Sequence, residues 1–112
     1  MSRPAERVYS RYTTEALTLF GRLIRISRLR RRMSAQELAR RAGISRGLLQ
    51  RIEKGDPRCE IGVAFELAAL LELPLFHADR EQLQSRNRLA DEMIALLPQP
   101  RAGKLQEVDD DF

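Results

Sequence analysis

A chain of 112 residues, 43% hydrophobic and 32% charged, with no Trp and a single Cys59, fits one modest domain and excludes an internal disulfide. One Cys59 and one His77 are too few for a four-ligand zinc site, no apolar run reaches the roughly 18 to 20 residues of a membrane span, and MSRPAERVYS lacks the apolar centre of a secretory signal, so a cytoplasmic protein without metal or cofactor is expected. The net charge of +4 is divided: residues 1–58 carry 15 Lys/Arg against 5 Asp/Glu and residues 59–112 carry 5 against 11, which suggests a polyanion-binding front half and a rear half with another partner.

Residues 1–13, with Arg3, Arg7 and Arg11 set among Tyr9 and Tyr12, show no clean period and read as a basic arm. From about Thr14, Leu19, Phe20, Leu23, Ile24 and Ile26 recur at helical spacing and predict a first helix to about Arg31, its far face rich in arginine. SAQE then reads as a capping box that starts a second helix, with Ser34 as N-cap and Glu37 three residues on. Leu38, Ala39 and Ala42 give that helix its buried stripe, and Gly43 stands where its end needs a left-handed residue.

Ser45 is the next N-cap, for a third helix over residues 46–54 stopped by Gly55, Asp56 and Pro57. Ile61, Ala64, Phe65, Ala68 and Leu71 mark a fourth helix ending before Pro74. Asp79 caps a fifth, with Leu83, Leu89, Ala90, Met93, Ile94 and Leu97 as its stripe and Pro98 as its stop. The expected fold is an all-α bundle of about five helices over residues 14–97, between the arm 1–13 and an acidic tail 98–112 that reads as disordered.

At 100° per residue, Arg46, Gly47, Gln50, Arg51 and Lys54 share one face of the third helix, while Leu48, Leu49 and Ile52 form the stripe that roots it. Arginine suits the O6/N7 edge of guanine, glutamine pairs bidentately with adenine, and a glycine permits close approach. A plain solvated face is the competing reading of the same residues. The context favours duplex DNA: Ser34 caps a helix whose N-terminal amides suit a phosphate, with Gln36 and Arg40 beside it, and Arg58 follows helix three. Ser45 and Lys54, at the two ends of helix three, complete the phosphate candidates.

Leu38-Ala39, Gly43, Ser45 through Leu49 and Glu53-Lys54-Gly55 keep the spacings of a known family, and over residues 18–73 the chain closely resembles the lambda-repressor-like, or Xre-family, helix-turn-helix. The resemblance implies that the second helix of the pair is the reader, with base contacts from Arg46, Gly47, Gln50 and Arg51. It also implies a structural ion pair between Arg28 and Glu53, and a homodimer reading two half-sites of operator DNA. Ala35 departs from the pattern, which often has a phosphate-binding Gln there; Gln36 is its neighbour. The helix-five stripe reads as intramolecular core or as a dimer surface, and Val8, Tyr9 and Tyr12 are a second dimer candidate.

RIEKGDP, IGVAFELAALLELPLF and the closing VDDDF resemble HipB-type antitoxins encoded beside HipA-type kinase toxins. That implies a repressor of its own operon that holds a kinase inactive, with Leu105, Val108 and Phe112 of the tail as partner-binding residues; a solubilising terminus is the simpler reading of the tail. A stand-alone Xre-type regulator of phage or chromosomal origin is the alternative. A protein adaptor is opposed by the arginines, RNA binding by the lack of an aromatic stacking platform, and catalysis by the absence of any base, orienting group and oxyanion site around Cys59 and His77.

Overall fold

In a computed structural model the described residues, 7–100, form five α-helices and no strand. They are α1 Arg11–Arg30, α2 Ala35–Ala42, α3 Arg46–Glu53, α4 Ile61–Leu70 and α5 Arg80–Leu96, with a 3-10 turn at Leu75–His77. The chain divides into two compact units, Met1–Phe76 and His77–Phe112.

Local chemistry sets most of the boundaries. The Ser10 hydroxyl accepts from the Thr13 amide, so α1 begins at Arg11, three residues before the apolar period becomes readable. Ser34 and Ser45 cap α2 and α3 in the same way, accepting from Glu37 and Leu48 at 3.0 Å each. The reciprocal half of the expected capping box at Ser34 does not form, because the Glu37 carboxylate turns to Arg41 instead, at 2.8 Å. A complete box stands at Asp79, whose carboxylate accepts from the Gln82 amide while the Gln82 side chain accepts from the Asp79 amide, both at 2.8 Å.

Between α2 and α3, Gly43 takes φ 70° and ψ 31°, the left-handed turn that carries the chain from one helix to the next. Its amide donates to the Arg40 carbonyl and that of Ile44 to Ala39. Nothing lies within 4 Å of where a Gly43 Cβ would be, so the backbone conformation and not crowding is what selects glycine.

Ile24, Leu38, Leu49, Leu67 and Leu71 are fully buried and make one core shared by the first four helices. Each such side chain contributes roughly 1.5 to 3 kcal/mol of burial. Helix α3 packs on α1 and α2, and α2 on α4. The α1–α3 crossing is tight at Gly21, where a Cβ would come within 2.5 Å of the Ile52 and Glu53 carbonyl oxygens. In the second unit, Leu89, Met93, Ile94 and Leu97 are exposed and Leu83 is half-buried.

Candidate nucleic-acid interface

With α3 pinned from behind by Leu49 and Ile52, 0% and 4% exposed, and by half-buried Leu48, its opposite face is left to solvent. That face carries Arg46, Gly47, Gln50, Arg51 and Lys54, all exposed. A Cβ built on Gly47 would meet only Arg51 Nη1 at 3.8 Å and the Ser45 hydroxyl at 3.9 Å, both ordinary contacts. No crowding inside the protein requires glycine there.

The ion pair behind this face is buried and bidentate. Arg28 donates from Nε to Glu53 Oε2 at 2.8 Å and from Nη2 to Oε1 at 3.0 Å, and its Nη1 donates to the Met33 carbonyl at 3.1 Å. Both side chains are under 10% exposed. The pair ties the last turn of α3 to α1 and to the loop that starts α2, so the C-terminal end of α3 is fixed. Hydrogen bonding to Glu53 raises the Arg28 pKa against the opposing effect of burial.

The flanking cations differ in availability. Arg40 and Arg41 share the Glu37 carboxylate, Arg40 at 3.5 Å, while Gln36 beside them is exposed. Arg58 is engaged by Asp56, with its amide at 2.9 Å and its Nε and Nη2 at 3.1 Å, so a phosphate at that position has to compete with the carboxylate. The Arg58 side-chain bonds, then its amide, hold the Asp56 carboxyl below its ordinary range. Burial first and the Asp56 charge second raise the pKa of the Cys59 thiol; a thiol so placed is a poor nucleophile.

Two residues outside the sequence-derived set lie beside this face. Arg22 and Arg25 of α1 line a concavity together with Gln50, Glu53 and Lys54, and Arg25 lies 3.8 Å from Glu53. Arg22, Arg25 and Arg28 recur every three residues, a signal that places all three near one side of α1. Leu105, Val108 and Phe112 lie outside the described residues.

Residues 19–83 match the family model described as a helix-turn-helix domain, more than half of the chain. No curated protein and no solved structure matches. Among the described residues no helix is long and apolar enough to cross a membrane.

Proposed function

The chain belongs to the helix-turn-helix domain family and is a DNA-binding regulator, and on that premise we propose that it is a sequence-specific repressor that binds operator DNA as a homodimer and acts as the antitoxin of a HipA-like kinase. The observation that carries the DNA-reading part is the α3 face, where two arginines, a glutamine, a lysine and a glycine stand exposed over a buried aliphatic root. Arg46, Gly47, Gln50 and Arg51 are the base-contacting set in this reading, since their chemistry matches major-groove edges. Ser34, Gln36, Arg40, Ser45, Lys54 and Arg58 flank them as the phosphate-contacting set, with the α2 amides directed at one phosphate. Quantitative footprinting on the DNA just upstream of the chain's own gene tests this. A single protected pair of half-sites supports the reading, and uniform weak protection rejects it.

The antitoxin role rests on the motif resemblance and on the apolar residues Leu105, Val108 and Phe112 spaced among the tail's acids. Deleting residues 109–112 is expected to weaken retention of the neighbouring kinase while leaving operator binding unchanged. Unchanged retention, or the absence of a kinase gene beside this one, favours a stand-alone regulator.

A further inference from the structure

Helix α1 has a second apolar stripe that the core does not use. Tyr12, Ala16, Leu19, Leu23 and Ile26 follow one another at intervals of four, three, four and three, the spacing of a coiled-coil seam, and all five are exposed. The four large side chains among them are 84%, 58%, 44% and 44% exposed. At 100° per residue this stripe lies about 180° from Gly21, the point where α3 crosses α1. Its N-terminal half runs into an apolar groove lined by Tyr12, Ala16, Phe20, Ile61 and Phe65.

We infer that this stripe is the homodimer interface, formed by α1 packing antiparallel on α1 of a second copy. The inference rests on the dimeric reading proposed above and names its surface. Charge chooses the occupant and the register. When Tyr12 meets the partner's Leu23 and Ala16 meets the partner's Leu19, the residues flanking the seam fall opposite each other as well. Glu15 then faces the partner's Arg22, and by symmetry Arg22 faces the partner's Glu15. Shifting the register by one heptad sets Arg22 against the partner's Arg22, so the electrostatics reject that alternative. Neither Glu15 nor Arg22 has an ion-pair partner among the described residues of its own chain.

The same arrangement leaves the reader helices free. With α3 and the seam on opposite sides of α1, the order across the dimer is α3, α1, the second α1, the second α3. Three interaxial steps of about 8 to 10 Å put the two readers about 24 to 30 Å apart, the same order as the 34 to 36 Å between half-sites.

Sedimentation equilibrium of the full chain tests the interface, with far-UV circular dichroism as a fold control. Leu19→Asp is expected to weaken the dimer about 100-fold. Glu15→Arg alone and Arg22→Glu alone, each setting two like-charge contacts, are expected to weaken it about tenfold, and the double variant to restore it. A wild-type monomer rejects both the dimer and its interface. A wild-type dimer indifferent to Leu19→Asp and to the charge exchange overturns the interface alone and leaves DNA reading untouched.

Discussion

Gly47 has room for a methyl group in the free protein, with its nearest neighbours at 3.8 and 3.9 Å, yet it sits on the exposed face of α3. Gly47→Ala therefore leaves the fold intact and stabilises it by up to about 1 kcal/mol, the helix-propensity difference. If that position approaches a groove floor, the same change lowers operator affinity. Thermal melts paired with DNA titration separate the two effects, and unchanged affinity removes Gly47 from the contact set. Asp56 offers a second residue-level test. Its carboxyl is held low by Arg58, so the folded pKa lies below the unfolded one and the contribution to stability is present above the unfolded value of about 3.9. It is lost as pH falls through the depressed folded value. Urea melts across pH are expected to show Asp56→Asn less stable than wild type at pH 6 and the gap closing as pH falls through the depressed folded value; a gap independent of pH contradicts this.

At the level of elements, the position of α3 depends on two contacts between α1 and α3. A Cβ at Gly21 collides with backbone carbonyl oxygens at 2.5 Å, which no side-chain rotation relieves. Gly21→Ala is expected to cost about 1 to 3 kcal/mol, measurable as a shift of the urea midpoint at constant slope. Arg28→Met removes the bidentate partner of buried Glu53, leaving only Arg25 at 3.8 Å, and is expected to cost about 3 to 5 kcal/mol, whereas adding Glu53→Leu recovers part of the loss. These contacts also mark how far the sequence reads. Ser34, Gly43, Ser45 and Asp79 act on backbone groups within a few residues, so the caps and the turn between α2 and α3 are legible from local chemistry. The destination of the Glu37 carboxylate was not, because Arg41 one turn away competes with the cap amide and wins. Arg22 and Arg25 are not legible in the sequence, because their place beside Gln50 depends on the rotation of α1 against α3, which the Gly21 crossing sets. The exposed stripe of α5 was equally illegible, since periodicity marks an apolar face without saying whether the same chain covers it.

On the scale of the whole molecule, the division into a basic front half and an acidic rear half fits the two tasks proposed above, a polyanion surface on the helix-turn-helix and a tail for another partner. In the proposed complex Arg40, Lys54 and Arg58 meet three phosphates per protomer, six per dimer, so the logarithm of operator affinity is expected to fall with the logarithm of salt concentration with a slope of about −5. A slope near zero contradicts a backbone-anchored complex. The central claim, that the exposed face of α3 reads base edges, is tested most directly by titrating wild type, Arg46→Ala and Arg40→Ala against the upstream operator and a panel of its single-base variants. Arg46→Ala is expected to lose about 1 to 3 kcal/mol of discrimination at one base pair per half-site, and Arg40→Ala to weaken every sequence about equally. Full discrimination retained by Arg46→Ala at every position would contradict the placement of α3 in the groove.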